Sequence, residues 1–306
     1  MQKLHIAKAN EKRYEFAMNK CGYVWLIGKT NVGKSSFLNA ILNEKVSITS
    51  RKVETTRNKI IGIKTLPNAQ IIFCDTPGIG IPKTLLNTKM QKIYHSGFRE
   101  ADLIIFFVAA HQAFNDQEIQ VLKKLVHLPH IIVINKIDLI SKSEILLKID
   151  EIKKYNDNQV VIPISVEEKD GLEIVLREII ARLPEGEKVY ADDIVTMQTE
   201  KFFVSEIIRE KILHYTHQEI PYGVCILIDQ FIEEKKLIKI FATIYIAKES
   251  HKKIIIGHGG QMLKNIGTAA RKDIEAELNV HIFLDLHVKV RENWTEDLQS
   301  LQEFGY

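Results

Sequence analysis

An eight-residue segment near the start of the chain combines two glycines, a lysine and a serine at a spacing that can hold phosphate groups. It runs from Gly28 to Ser35, fits the pattern G-x-x-x-x-G-K-[ST], and follows the apolar run Tyr23–Ile27. Gly28 and Gly33 let the backbone curl so that successive N–H groups face the phosphates. A helix that begins at Gly33 adds its positive N-terminal dipole. Lys34 then reaches the β- and γ-phosphates, and the serine hydroxyl is a ligand for Mg²⁺.

A second polar segment, from Asp75 to Gly78, reads Asp-Thr-Pro-Gly and directly follows the apolar run Ile71–Cys74. Asp75 is placed to hold Mg²⁺ through a water molecule, and the Gly78 N–H is placed to sense a γ-phosphate. The residue after Gly78 is Ile79, where many signalling GTPases place a glutamine that orients the attacking water. Because an isoleucine side chain cannot hydrogen-bond to water, we expect hydrolysis that is slow or that depends on another group.

Two further segments predict which base the bound nucleotide carries. Residues 135–138 read Asn-Lys-Ile-Asp, and the Asp138 carboxylate can accept from both N1–H and N2–H of guanine, which adenine does not offer. Asn135 is expected to buttress this loop, and the Lys136 stem to cover the base. An Ile-Ser-Val tripeptide ends the last apolar run of this region, which leaves the Val166 N–H free for guanine O6. The expected GTP-binding residues are Gly28, Lys29, Thr30, Asn31, Val32, Gly33, Lys34, Ser35, Ser36, Asp75, Thr76, Pro77, Gly78, Ile79, Asn135, Lys136, Ile137, Asp138, Ser165 and Val166.

A polar stretch, residues 50–57, lies between the first two segments. A mobile switch loop carries its Mg²⁺-binding threonine at such a place. Either Thr55 or Thr56 could serve, and we prefer Thr56 because it directly precedes the Arg57 that leads into the next strand. The alternative is a basic surface loop without a metal ligand. The expected metal ligands are Ser35, Thr56 and Asp75, and the expected catalytic residues are Lys34, Thr56, Asp75 and Gly78.

Short apolar runs alternate with longer amphipathic stretches through the first half of the chain. The runs are Tyr23–Ile27, Ile71–Cys74, Leu103–Ala109, Ile131–Ile134 and Val160–Ile164. Each has the length of a buried strand, and most are separated by segments long enough for a helix. This order predicts an α/β domain with a mostly parallel sheet covered by helices, in which ligands bind at the carboxyl ends of the strands. The segments that carry the candidate nucleotide-binding residues lie on loops that leave those ends.

The alternation stops at residues 183–187, Leu-Pro-Glu-Gly-Glu, which read as a helix end and a linker. After it, the pattern predicts a smaller α+β domain of order α-β-β-α-β. Its elements are a helix around Phe203–Ile212, strands at Gly223–Phe231 and Leu237–Ile246, a helix from Gln261, and a strand from His281 to Val290. The expected divisions are a lead-in at 1–21, a GTPase domain at 22–183, a linker at 184–198 and the smaller domain at 199–306.

Composition is that of a soluble globular protein of 306 residues, with 45% hydrophobic and 26% charged residues. No apolar run approaches the ~18 residues of a membrane span, and the first twenty residues are mixed, unlike a signal peptide. Residues 1–190 hold 28 basic against 21 acidic residues, whereas residues 191–306 hold 14 against 18. Bulk charge therefore gives no argument for nucleic-acid binding by the second domain. Three isolated cysteines predict neither a metal site nor a disulfide, and they suit a reducing cytosol.

The smaller domain carries its own motif. Residues 257–260 read Gly-His-Gly-Gly, fit G-x-x-G, and open a helix with apolar positions at Leu263, Ile266 and Ala270. A KH domain is built in this way, with the glycines against the backbone of four nucleotides and the bases in an apolar groove beside the helix. A plain helix N-terminus is the alternative interpretation. The expected RNA-binding residues are Gly257, His258, Gly259, Gly260, Lys264 and Arg271.

From Gly22 to Tyr306 the sequence resembles the Era family. The segments that carry the resemblance are GKTNVGKSSFLN, SITSRKVETTR, DTPGI, NKID, IIREKILHYTHQEIPYG, IIIGHGGQMLKNIGTAARKDIEAEL and LHVKVRENW. The resemblance implies a bacterial GTPase with a type II KH domain that binds the 3′ end of small-subunit ribosomal RNA and assists assembly of that subunit. It also implies a cytoplasmic monomer with some peripheral contact with the inner membrane, and no DNA partner.

The resemblance also implies cofactors, and the sequence differs from the family pattern at a few positions. Mg²⁺ is implied with GTP or GDP, and in related GTPases an asparagine at the place of Asn31 helps to hold a monovalent cation, here K⁺; an ordinary polar residue is the alternative. Lys29-Thr30 replaces a common arginine-proline pair, and Val166 replaces an alanine. His258 replaces a lysine, which removes most of a charge near neutral pH.

Two other interpretations stay open. Ile79 makes an RNA-binding module with a structural nucleotide conceivable, and measured turnover discriminates it from a switch. A GTPase with another target is the third hypothesis, but tandem-domain ribosomal GTPases need a second P-loop and tRNA-modifying relatives need a C-terminal catalytic cysteine. The last cysteine here is Cys225, and the sequence contains one P-loop.

Overall fold

Six strands between residues 20 and 163 form one sheet, in the order β2-β3-β1-β4-β5-β6. The strands are β1 (Lys20–Gly28), β2 (Ile60–Leu66), β3 (Ala69–Asp75), β4 (Leu103–Ala109), β5 (His130–Asn135) and β6 (Val161–Pro163). All neighbours are parallel except β2 and β3. The structure is a computed structural model that describes residues 19–50, 52, 55–157, 159–216 and 223–306. The mostly parallel sheet predicted from the sequence is confirmed.

The edge strand β2 is absent from the sequence prediction. It pairs antiparallel with β3 across the two-residue turn Pro67-Asn68, and its other edge makes an isolated antiparallel bridge from Gly62 to Thr196. Three of its seven residues are buried, and Gly62 and Lys64 interrupt the apolar run. A run-based prediction misses such a strand because its stability comes from pairing with β3 and from packing on a neighbouring helix.

Helices cover both faces of this sheet. They are α1 (Lys34–Leu42), α2 (Leu85–Glu100), α3 (Asp116–Leu125), α4 (Lys142–Lys153) and α5 (Leu172–Arg182). On one face, Phe37 of α1 and Ile179 of α5 join one apolar core. On the other, Tyr94 of α2 and Leu122 of α3 join a second core. Two covered faces explain why β3, β4 and β5 are buried along their whole length.

The second half of the chain forms a smaller domain with a three-stranded sheet of order β7-β8-β9. Its elements are α6 (Glu200–Tyr215), β7 (Val224–Glu234), β8 (Leu237–Ile246), α7 (Glu249–Ile256), α8 (Gln261–Leu278), β9 (His281–Val290) and α9 (Leu298–Glu303). Helices α6 and α8 contribute to one core with this sheet. The predicted elements are present, but α7 and α9 were missed because both are short, and the apolar end of α7 fits a strand equally well.

The segment predicted as a linker lies along the first domain. The Cys21 N–H donates to the carbonyl of Pro184 (3.1 Å), and the Ile63 N–H donates to the carbonyl of Val195 (2.7 Å). Most of the predicted lead-in, residues 1–18, lies outside the described residues, and β1 begins within its last part, at Lys20. In the part of the chain that the structure describes, no helix combines the length and apolar character needed to cross a bilayer.

Candidate functional site

The loop that leaves β1 is shaped by glycine at both ends. Gly28 has φ +147°, and a Cβ there would lie 2.4 Å from the Phe107 carbonyl oxygen. Gly33 has φ +101° and directly precedes the first residue of α1. Between them Asn31 is also left-handed, at φ +62°, a conformation that asparagine tolerates better than most residues. The backbone therefore curls as the sequence predicts and delivers the N-terminus of α1, including Ser36, to the loop.

Lys34 lies inside this loop. Its Nζ donates to the carbonyl oxygens of Gly28 (3.1 Å) and Lys29 (2.9 Å), and the side chain is buried. Burial lowers the pKa of Lys34 to about 8, against the attraction of the Asp75 carboxylate. The result is a positive charge held where the curled backbone would place phosphate oxygens.

Three oxygen-bearing side chains converge beside Lys34. The Ser35 hydroxyl donates to Asp75 Oδ2 (2.6 Å) and lies 3.0 Å from Thr56 Oγ1. Asp75 Oδ1 is buried and has no hydrogen-bond partner among the described residues. Neighbouring ligands of an octahedral Mg²⁺ lie about 3 Å apart, and this ion prefers oxygen donors. The residues present therefore fit Mg²⁺.

The second threonine points elsewhere. Thr55 Oγ1 donates to the Lys52 carbonyl (2.8 Å), so Thr56 is the threonine that the structure places beside Ser35. Ser47 was not predicted, and its hydroxyl donates to Asp75 Oδ2 (3.1 Å). No sequence signal distinguishes this serine from other loop serines. Burial raises the pKa of Asp75, and nearby Lys34 and the two serine hydroxyls oppose that rise.

The segment after β3 packs tightly on the phosphate loop. A Cβ at Gly78 would lie 2.7 Å from the Thr30 backbone nitrogen, so only glycine allows this approach. The Ile79 N–H donates to the Gly28 carbonyl (3.0 Å), while the Ile79 side chain is buried in the core beside α2 and α3. Thr76 and Pro77 are buried between these two points. The isoleucine side chain therefore belongs to the core.

Asn135 joins three loops. Its Nδ2 donates to the Val32 carbonyl of the phosphate loop (2.8 Å), and its Oδ1 accepts from the Val166 N–H (3.1 Å). The prediction that the Val166 N–H is free was wrong, because the buttressing asparagine takes this donor. Ser165 Oγ donates to Asp138 Oδ1 (2.5 Å), which orients the carboxylate. Ile137 begins a single 3₁₀ turn that carries Asp138.

The structure thus brings all predicted nucleotide-site residues to the carboxyl ends of β1, β3, β5 and β6. Lys136, at φ +68°, lies on the loop after β5 with Asp138. Lys29 contacts Glu118 (3.7 Å) at the edge of this region. The predicted RNA-binding residues are not part of it, since they lie on α8 and on the loop before it.

The glycine-rich loop of the smaller domain joins α7 to α8. Gly257, Gly259 and Gly260 all have positive φ, at +73°, +55° and +80°. A Cβ at Gly257 would lie 2.6 Å from Met262 Cβ, whereas a Cβ at Gly259 or Gly260 would meet nothing within 4 Å. The middle of the loop, with His258, therefore presents its backbone to solvent.

A groove of about 360 Å³ begins at this loop and follows α8. Leu263, Leu284 and Leu286 supply its apolar surface, while the exposed side chains of Lys264 and Arg271 border it. An apolar groove with cations along one side can take flat bases and neutralise their phosphates.

Two family models match this chain, one in each half. The family described as "50S ribosome-binding GTPase" matches residues 23–136, and the family described as "KH domain" matches residues 219–295. A GTPase Era of Syntrophus aciditrophicus is 44% identical over 293 residues, which cover 94% of this chain and 96% of that protein. A GTPase Era of Geobacter metallireducens is 43% identical over 94% of this chain and 98% of its own.

Two solved structures are similar over the same length. An Aquifex aeolicus Era variant bound to GDP·AlF4⁻ has a TM-score of 0.90 at 37% identity and covers 94% of this chain. An Era in complex with MgGDPNP and nucleotides 1506–1542 of 16S ribosomal RNA has a TM-score of 0.91, also at 37% identity and 94% coverage, and 99% of each solved chain is covered. With this identity over nearly the whole length of both partners, the chain belongs to the Era family of GTPases.

Proposed function

We propose that this protein is a GTP-hydrolysing switch that binds the 3′ end of small-subunit ribosomal RNA and assists assembly of that subunit. One observation carries the RNA part. The smaller domain presents an open G-x-x-G loop and an apolar groove in a chain that superposes, over 94% of its length, on an Era bound to such RNA.

At the nucleotide site we assign Ser35, Thr56 and Asp75 to Mg²⁺, Asp75 through water. Held by these residues, Mg²⁺ would neutralise negative charge that develops on the phosphates during transfer. Lys34 supplies the second positive charge, and the N–H groups of the curled loop orient the phosphates. The Gly78 N–H, held against Thr30, is positioned to detect a γ-phosphate.

For the base we assign Asp138 as the acceptor of guanine N1–H and N2–H. Its Ser165 hydrogen bond keeps the carboxylate in one orientation, which favours a two-point contact. Asn135 occupies the Val166 N–H, so a contact of that N–H with guanine O6 would be shared between two acceptors.

Hydrolysis is expected to be slow without a partner, because the Ile79 side chain is in the core and cannot orient water. We further propose that K⁺ binds beside Asn31, whose left-handed backbone belongs to the phosphate loop. A protein whose nucleotide is only structural would show no turnover at all, with or without K⁺, so measured turnover separates the two functions.

The experiment that tests RNA binding uses the full chain and filter binding with the 3′ end of small-subunit ribosomal RNA. The double variant His258→Asp with Gly259→Asp places negative charge where RNA phosphate must approach, so binding should be lost while GTP affinity is kept. The matched control is Lys235→Asp with Lys236→Asp in the exposed turn between β7 and β8, which removes more positive charge away from the groove. Equal loss in both variants would mean that charge alone matters, and undiminished binding by the first would place the RNA elsewhere. Crosslinking in cells identifies the RNA itself.

The remaining proposals concern the domain divisions, the oligomeric state and the location of the protein. We propose domain divisions at 22–183 and 199–306 with a linker at 184–198, supported by the separate cores of the two sheets. We also propose a cytoplasmic monomer with a peripheral contact at the inner face of the cell membrane. Sedimentation of the protein tests whether it is a monomer, and flotation with anionic vesicles tests the membrane contact.

A further inference from the structure

The switch segment around Thr56 is held by the second domain. The Arg57 guanidinium is 2% exposed and donates from Nη1 to the Val224 carbonyl (2.6 Å) and to the Tyr306 hydroxyl (3.3 Å). It also lies 5.8 Å from the ring centroid of Trp294 and 6.0 Å from that of Tyr306. Burying a guanidinium is costly unless its donors and charge are compensated. These contacts therefore fix Arg57, and with it the backbone one residue after Thr56.

The second domain also holds Thr55, the residue before Thr56. Arg209 on α6 is 1% exposed, and Glu206 holds it through a hydrogen bond from Nε to Oε1 (2.8 Å). Its Nη2 donates to the carbonyl oxygen of Thr55. Thr56 is thus flanked on both sides by contacts to the second domain, while its own hydroxyl lies 3.0 Å from Ser35 Oγ.

Trp294 and Tyr306 also contact helix α2, which follows the Asp75–Gly78 segment of the nucleotide site. Leu86 and Met90, in the first two turns of α2, pack in one apolar cluster with Trp294. Lys89 of α2 donates to the backbone carbonyl of Tyr306. The second domain therefore contacts the chain just after Thr56 and also the helix that follows Asp75.

Residues 55–59 form no helix or strand, so their place depends on contacts outside the segment. We propose that the second domain completes the GTPase site: Arg57, Arg209, Trp294 and Tyr306 form a switch clamp that positions Thr56 for the triphosphate state. The clamp residues are positioning residues, and their role rests on the proposed assignment of Thr56 to Mg²⁺. Since GDP lacks the γ-phosphate, the clamp stabilises binding of the triphosphate selectively.

The test compares binding of a non-hydrolysable GTP analogue and of GDP, both with Mg²⁺, by the full chain. Arg57→Lys keeps the charge but loses the planar guanidinium, whose Nη1 reaches both Val224 and Tyr306. The variant should bind the analogue about tenfold more weakly and keep its affinity for GDP within about twofold of the wild type, as expected for a typical coupling between sites. Lys59→Gln is the matched control: this neighbouring cation contacts Glu100 and Trp25 of the first domain, and its loss should leave the ratio unchanged.

A second pair of variants keeps the test valid if Arg57→Lys misfolds and loses both nucleotides. Tyr306→Ala removes the ring beside Arg57, and Arg209→Gln removes the guanidinium that donates to the carbonyl oxygen of Thr55. Each should show the same selective loss, and Tyr306→Phe, which keeps the ring, should recover most of the Tyr306→Ala loss. If none of the three clamp variants changes the ratio of analogue to GDP affinity, the clamp proposal is overturned. Thr56→Ala separates this failure from that of the site itself, because an unchanged ratio there would remove Thr56 from the metal site.

Discussion

Asn135 offers the sharpest test of how the nucleotide loops are held together. The side chain is 2% exposed and makes one hydrogen bond to the phosphate loop, at Val32, and one to the loop after β6, at Val166. Asn135→Ala removes both bonds without touching a predicted phosphate or metal contact. Each such bond contributes about 1–1.5 kcal/mol, so the arrangement that binds nucleotide loses about 2–3 kcal/mol relative to others.

The loss converts directly into affinity. The loss lowers the population of the competent arrangement, and the apparent Kd rises by the reciprocal of that population, here by up to a factor of about 30 to 150. The affinities for GDP and for a GTP analogue should fall by the same factor, because Asn135 contacts neither the γ-phosphate nor the metal site. Titration calorimetry with both nucleotides measures the two values.

The matched control is Asn156→Ala. Asn156 is also a buried asparagine, 3% exposed, but it bonds to His130 and to the Leu122 carbonyl away from the nucleotide loops. It should lower stability and leave both affinities unchanged. A GDP affinity for Asn135→Ala within about threefold of the wild type would refute the reasoning, since a bonded pair of loops worth 2–3 kcal/mol cannot be that dispensable.

Three further predictions concern the base, the cation and the RNA. Asp138→Asn should weaken guanine nucleotides by a factor of about 30 to 1,000 and favour xanthine nucleotides; equal affinity of the wild type for ATP and GTP would contradict the assignment. Intrinsic turnover should lie well under ~1 s⁻¹ and be faster in KCl than in NaCl, and Asn31→Ala should abolish that difference; identical wild-type rates in the two salts would remove K⁺ from the mechanism. Lys264→Ala and Arg271→Ala should each shallow the salt dependence of RNA binding by ~0.7 in slope, read from filter binding at several salt concentrations. An unchanged slope in both variants would move the phosphate contacts off α8.

Much of the nucleotide site follows from the sequence because its parts are local. A P-loop is eight consecutive residues, and Gly28 and Gly33 are required by backbone conformations that are set within that segment. Buried strands such as β4 reveal themselves by uninterrupted apolar runs, and the order of motifs places each at a strand end. The same reasoning predicted α8 and its glycine-rich loop, and the family resemblance covers nearly the whole chain.

Only the tertiary structure decided which groups meet across long separations. The Val166 N–H looks free in the sequence but is taken by Asn135, 31 residues away, and β2 exists because β3 pairs with it. Arg57 reads as one more basic residue of a polar loop, yet its hydroxyl partner on Tyr306 is 249 residues away. A sequence pattern records the periodicity of each element, but it carries no record of which buried donor finds which acceptor once two domains close on each other. That pairing is fixed by the packing of α6 and the Trp294–Tyr306 region against the switches, which is why the clamp around Thr56 could be found only in the folded chain.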